Sequence, residues 1–282
     1  MREVGNRAVG NGALGNGAVD GRHDGTGHAT GLHVVEHHAS READAPTVVL
    51  VHGSLDRGAS FARVVRRLGD LRVLTYDRRG YHHSRHLPIA GTLQDHVADL
   101  VALVGRGPAV VIGHSYGGDV ALGAALASPS AVVAVGAYEP PLPWEEWWPR
   151  RSASSIRDED PATFAEGFFQ RVVGDGAWER LTDQARSDRR ADGPALVAEL
   201  ADLRRATAPF DVTALQRPFV LGRGGRSVPH HRRAIDALRE LVPEAEVFEI
   251  PGAAHGAPLS HPDAFAAMVR RVVELGTGRA HA

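Results

Sequence analysis

The chain has 282 residues, 43% of them hydrophobic, and a formal net charge of −2. This length can bury one substantial core, and so small a charge exerts no general pull toward nucleic acid. With no cysteine at all, disulfides, thiolate catalysis and cysteine-ligated zinc are excluded.

Within residues 1–31, the run from Gly5 to Gly21 repeats a Gly-Asn-x-Ala-aliphatic theme, as in Gly5-Asn6-Arg7-Ala8-Val9 and Gly15-Asn16-Gly17-Ala18-Val19. So much glycine carries a high ordering entropy and little to bury, so this segment is expected to be a disordered leader. No apolar stretch there reads as a secretory signal, and none elsewhere is long enough to span a membrane; a cytoplasmic location is expected. A first strand is expected within Leu32 to His37. The apolar, β-branched run Thr47 to Val51 predicts a buried strand that stops at His52-Gly53-Ser54. Phe61 to Leu68 has helical spacing, Arg72 to Tyr76 reads as a strand, and Thr92 caps a helix to Val104. Ala109 to Ile112, Gly117 to Ala127 and Val132 to Ala137 continue the rhythm as strand, small-residue helix and strand. It resumes with strands at Pro218 to Leu221 and Glu246 to Ile250, and helices at His230 to Leu241 and His261 to Leu275.

Alternation of this kind predicts an α/β fold: a mostly parallel, doubly wound sheet with helices on both faces. The rhythm breaks after Pro140-Pro141. From there to about Ala208 no strand is expected, and helical patterns run over Phe164 to Val173 and Pro194 to Ala206. The expected division is a leader at 1–31, a core of 32–139 and 209–282, and a helical cap at 140–208 lying over the sheet's carboxyl edge, where open α/β sheets bind ligands.

The strongest chemical signal is Gly113-His114-Ser115-Tyr116-Gly117, set between an apolar strand and a small-residue helix. A serine there must occupy a sharp strand-to-helix turn, and the glycines two residues away on each side prevent collision. The turn lifts the hydroxyl above the sheet at a helix N-terminus, which favours developing negative charge. Ser115 is therefore the expected nucleophile. The loop at His52-Gly53 can aim a backbone N–H at the same place, so Ser54 N–H and Tyr116 N–H are the expected oxyanion donors. Downstream, His255 in Pro251-Gly252-Ala253-Ala254-His255-Gly256 has room to reach the serine as general base and acid.

These segments, with Asp77-Arg78-Arg79-Gly80, occur in an order that resembles the α/β-hydrolase superfamily across about residues 32–278. The resemblance implies the fold, the helical cap and a serine–acid–histidine mechanism, and leaves the substrate open. The expected reaction is hydrolysis of an ester, lactone or thioester of a small molecule. A carbon–carbon bond hydrolase, an acyltransferase or a weakly catalytic binding protein fits the same motifs.

One departure stands out. The acid usual for the family follows the strand at Pro218 to Leu221, yet Gly222-Arg223-Gly224-Gly225-Arg226-Ser227-Val228 has no Asp or Glu. Glu139, at the end of the preceding strand, is the best substitute. Asp211 precedes a strand and belongs to the wrong end of the sheet, and Asp236 falls on a helix. A Ser–His dyad without an acid is the remaining option. Trp144, Trp147 and Trp148 open the cap and either line an apolar substrate pocket or pack the cap onto the core. Arg223 and Arg226 either bind a substrate carboxylate or lie in an exposed loop. Sixteen histidines invite a metal. Their adjacent pairs, however, suit chelation poorly, so neither a metal nor another cofactor is expected, and the partner is a small molecule rather than nucleic acid or membrane.

Overall fold

The computed structural model describes residues 30–38, 45–105, 107–149, 156, 158–204 and 207–278. All but the last two residues of the glycine-rich leader lie outside that set. Seven strands form one sheet: β1 (Val34–His37), β2 (Thr47–Val51), β3 (Val73–Tyr76), β4 (Ala109–His114), β5 (Val132–Tyr138), β6 (Phe219–Gly224) and β7 (Glu246–Ile250). Their order is β1-β3-β2-β4-β5-β6-β7. Only β1 runs antiparallel, pairing with β3; all the other pairings are parallel.

Among the described residues the helices include α1 (Ala62–Val65), α2 (Leu93–Val104), α3 (Tyr116–Ala127), α4 (Pro161–Val173), α5 (Asp175–Glu179), α6 (Asp183–Ala191), α7 (Gly193–Asp202), α8 (Pro229–Leu241), α9 (Ala257–Ser260) and α10 (Pro262–Thr277). Side chains alternate across each strand. In β2, Val49 and Val51 join α2, α3 and α8 in one core layer, while Val48 and Leu50 join α1 and α10 in the other. Each fully buried Val or Leu stabilises the fold by roughly 1.5–3 kcal/mol. The doubly wound α/β fold is thus present as expected. Among the described residues no helix is long and apolar enough to cross a membrane.

Local chemistry sets the boundaries. At the start of α2, Asp95 accepts from the Thr92 backbone N–H at 2.9 Å and the Gly91 N–H at 2.8 Å, satisfying donors the helix leaves free. The Phe61 to Leu68 pattern forms a 3₁₀ turn at Gly58–Phe61 followed by the short α1, and its apolar face packs as expected.

Between β5 and β6 the described chain forms helices α4 to α7. A small core of Leu55, Phe164, Ala165 and Leu196 joins them to the loop after β2. α5 and α6 went unpredicted, because α6, with the sequence DQARSDRRA, buries no residue and so carries no apolar periodicity to read.

Candidate active site

In a parallel sheet the carboxyl ends of neighbouring strands lie side by side. Val51 pairs with Gly113, His114 with Tyr138 and Tyr138 with Gly222. The next residues along, His52, Ser115 and Glu139, therefore leave the sheet at one edge.

Ser115 sits between β4 and α3 with φ 55° and ψ −131°. A non-glycine residue in this region is strained by roughly 1–3 kcal/mol. The surroundings hold it there: its N–H donates to the Tyr138 carbonyl at 2.8 Å, and its own carbonyl accepts from Gly118 N–H at 2.6 Å. A Cβ on Gly113 would lie 1.9 Å from the Gly117 carbonyl oxygen, and one on Gly117 would lie 2.2 Å from that of Val51. Both glycines of the motif are thus required by close backbone approach. A Cβ on Gly53 would come within 3.0 Å of Ser115 Cβ, which places the His52-Gly53 loop directly against the serine.

His255 lies in the loop after β7, with its side chain 19% exposed. Tyr138 donates its hydroxyl to the Ala254 carbonyl at 3.0 Å, and His114 donates Nε2–H to the His255 carbonyl at 2.7 Å. The ring of His255 meets Glu139, with Nδ1 2.8 Å from Oε2. A carboxylate only accepts, so Nδ1 carries the proton and Nε2 keeps a free lone pair. The carboxylate expected as a substitute for the missing acid is therefore in contact with the histidine.

Glu139 is fully buried at φ 48°, its N–H donating to the Gly222 carbonyl at 3.0 Å. Its Oε1 accepts from the Gly224 N–H at 2.9 Å and from the Ser227 hydroxyl. Burial opposes its ionisation, but the hydrogen bond and charge of His255, with those from Ser227 and Gly224, outweigh that and hold its pKa at about 2. Ser227, in the loop without Asp or Glu, thus donates to the Glu139 carboxylate that meets His255. Sequence reasoning did not assign Ser227 a role.

Tyr116 is the first residue of α3, so its N–H is one of the four the helix leaves without an internal partner. Ser54 follows the His52-Gly53 loop, and its hydroxyl donates to Glu199 on α7.

Histidines crowd His255. The His231 ring stacks on it with centroids 4.3 Å apart at 19°, and the His114 ring lies 4.8 Å away. Burial, and then the charge of His255, push His231 down to about 2 and His114 to about 4. Both are neutral near pH 7. No property of the sequence distinguished His231 from its neighbour His230.

The three tryptophans do not act together. Trp148 packs edge-on to His230 and His231, at 4.8 and 5.3 Å, and so lies one ring removed from His255. Trp147 lies under Arg233, whose guanidinium is 4.6 Å from the ring. Trp144 packs against Phe210 and lines a cavity of about 470 Å³ with Leu142, Val212, Leu238 and Leu241. Ser115, Glu139 and His255 are absent from that lining. For Trp144 this placement favours packing over the expected substrate contact. Arg223 is likewise engaged elsewhere, with Glu249 at 2.9 Å and Asp236 at 3.2 Å.

Two groups among the described residues bring potential metal-ligand atoms within 4.8 Å of one another: Glu139, His231 and His255, and His33, Asp77 and His83. Each draws on separate elements rather than on an adjacent histidine pair. In the first, Glu139 and His255 already share a hydrogen bond. In the second, Asp77 accepts from Gly58 N–H at 2.9 Å, the His82 ring at 3.1 Å and His83 N–H at 3.2 Å.

Comparison with known proteins identifies the family and the fold. A family model described as alpha/beta hydrolase family matches residues 48–268. The chain is 31% identical over 237 residues to a pimeloyl-[acyl-carrier protein] methyl ester esterase of Chromobacterium violaceum, covering 78% of this chain and 91% of that protein. Among solved structures it is similar to an enol-lactonase from Burkholderia xenovorans, with TM-score 0.69, 22% identity, and 86% and 96% of the two chains covered. It is also similar to a thermophilic esterase from Thermogutta terrifontis, with TM-score 0.66, 22% identity, and 85% and 92% covered. At such identities the two structures speak for the fold alone.

Proposed function

This chain belongs to the alpha/beta hydrolase family, and on that premise we infer that it is an ester hydrolase working through an acyl-enzyme on Ser115. The observation that carries the reading is the 2.8 Å contact between His255 Nδ1 and Glu139, at the same sheet edge from which Ser115 leaves β4 at φ 55°.

In this mechanism His255 Nε2 takes the Ser115 proton as the oxygen attacks the ester carbonyl carbon. The negative charge passes to the carbonyl oxygen, where Ser54 N–H and Tyr116 N–H donate to it. His255 then gives its proton to the departing alkoxide, leaving the acyl group on Ser115. Water repeats the sequence, and the acid leaves with the serine restored. Glu139 stays ionised throughout and stabilises the imidazolium in the intermediate.

The substrate is a small carboxylic ester, lactone or thioester, held between the sheet edge and helices α4 to α7, which act as a cap. The name of the relative, a methyl ester esterase, fits that class. A weakly catalytic binding protein was attractive because the usual loop lacks an acid. With Glu139 on His255, no observation favours it. An acyltransferase would form the same acyl-enzyme and differ in the acceptor.

A fluorophosphonate probe tests the reading. Folded protein is expected to label once, at Ser115, and to release acid rather than a transferred acyl product from p-nitrophenyl butyrate. Equal labelling of Ser115→Ala would defeat it.

A further inference from the structure

Behind the loop that leads to Ser54 lies a guanidinium with no exposed surface. Arg78 follows β3, and its Nε donates to the His52 carbonyl and its Nη2 to the Gly53 carbonyl, each at 3.0 Å. Its backbone N–H donates to His52 Nε2 at 2.9 Å. The same guanidinium lies 4.7 Å from the ring of Tyr116 and 4.8 Å from that of Tyr81. One cation therefore touches both places that carry the oxyanion donors.

Its counter-charge comes from the inserted helices. Arg78 Nη1 donates to Glu199 Oε2 on α7 at 2.7 Å, and Tyr81 donates its hydroxyl to the same oxygen at 3.0 Å. The other carboxylate oxygen accepts from the Ser54 hydroxyl. Arg78 Nη1 also reaches His96 Nε2 at 3.1 Å. Nearby Asp119 is fully buried, and burial together with the charge of Glu199 pushes its carboxyl well up, so it leaves Glu199 as the anion facing Arg78. A buried ion pair of this kind is seldom the most stable filling for its space, since apolar residues of similar volume often do as well or better. What this pair supplies is a fixed geometry between α7, Ser54 and Tyr116.

We propose that Glu199 is a positioning residue: seated from the inserted helices, it fixes Arg78 and Ser54 and thereby sets the two oxyanion donors. The proposal rests on the reading of Ser54 and Tyr116 as those donors. It makes the oxyanion site complete only when α7 is in place.

The test uses the full chain with p-nitrophenyl butyrate, with rates expressed per active site titrated by fluorophosphonate. Glu199→Gln is expected to lower kcat about 10- to 100-fold, with KM changed less than about 3-fold, because a displaced donor acts on the transition state. Affinity for an aryl trifluoromethyl ketone, which adds to Ser115 and bears an oxyanion, is expected to fall by the same factor. Should the single variant fail to fold, Arg78→Met/Glu199→Leu restores a neutral, packed interior and is expected to show the same split. A folded variant of either kind with wild-type kcat per titrated site overturns the proposal, as does loss confined to the fraction of active protein. The hydrolase reading is judged separately: it fails if Ser115→Ala still turns over or labels as wild type does, whatever Glu199 does.

Discussion

The carboxylates of Glu139 and Glu199 are both buried, and they enter the candidate site by opposite routes, one on His255 and the other on Arg78 and Ser54. Glu139 grows out of β5, one strand from the serine, and meets a half-buried histidine whose charge changes during the proposed reaction. Glu199 arrives on a helix inserted between β5 and β6 and meets a wholly buried arginine whose charge never changes. On the proposed mechanism the proton-moving side is built from the sheet's own edge, where strand register fixes distances, and the proposed oxyanion side is completed from a helix outside the sheet. Rigid register would suit a proton path that tolerates little error, while a docked helix would let the oxyanion side depend on the insertion.

Substitutions on each side separate the two carboxylates. Ser115→Ala serves both sides and is expected to lower turnover of p-nitrophenyl butyrate by at least about 10⁴-fold. Wild-type turnover in that variant would end the comparison altogether. Glu139→Gln keeps an oxygen for Ser227 and Gly224 but turns an amide toward His255, favouring the wrong tautomer. A fall in kcat of about 10³- to 10⁴-fold is expected with the fold retained, as read by steady-state kinetics and circular dichroism.

Stability against pH separates the partners further. Glu139 is held at about 2 against an ordinary value of 4.5, so its stabilising interaction is fully present above pH 4.5 and is lost as pH falls toward 2. The Tm advantage of wild type over Glu139→Gln is expected to shrink across that window. A constant difference would mean that the carboxylate gains nothing from its donors. His231 behaves in the opposite chemical sense. Folding keeps it neutral to about pH 2 against 6.5 when free, so stability falls below pH 6.5, where only the unfolded chain takes the proton. His231→Phe keeps a ring against His255 and is expected to remove up to about 1.4 kcal/mol of that loss per pH unit. Calorimetry at pH 7 and pH 5 checks this. The smallest effect belongs to Arg223→Ala. Its partners Glu249 and Asp236 are well exposed, so stability is expected to move by less than about 1 kcal/mol and KM by less than twofold. A large rise in KM would return Arg223 to a substrate-binding role.

The sequence displayed one side of this comparison far better than the other. Ser115 and His255 stood in glycine-rich loops after apolar strands, and Glu139 was found by elimination, because the loop after β6 lacks any carboxylate. Each of those signals is local to a strand end, and strand alternation is what apolar patterning reports best. Arg78 and Glu199 are 121 positions apart, and nothing near either one points to the other. Glu199 lies within an ordinary amphipathic helix, where a carboxylate reads as a solvated face until tertiary packing buries it. His231 was hidden for a related reason: it was read with its chain neighbour His230, whereas its ring stacks on a residue from another loop. The three tryptophans, five positions from first to last, were grouped by proximity in the chain, and they point to separate surroundings.

Moving the acid to Glu139 also changes where this molecule can be redesigned. On the proposed mechanism the segment after β6 carries no group that takes part in proton transfer, and what it contributes to Glu139 is the hydroxyl of Ser227 and the N–H of Gly224. A Cβ on Gly224 would fall 2.4 Å from the Ala253 carbonyl oxygen, so that position is closed to substitution. Arg226 and Val228, by contrast, are exposed. A combinatorial library confined to those two positions would sample new side chains at the margin of the site without touching the acid, its donors or the nucleophile.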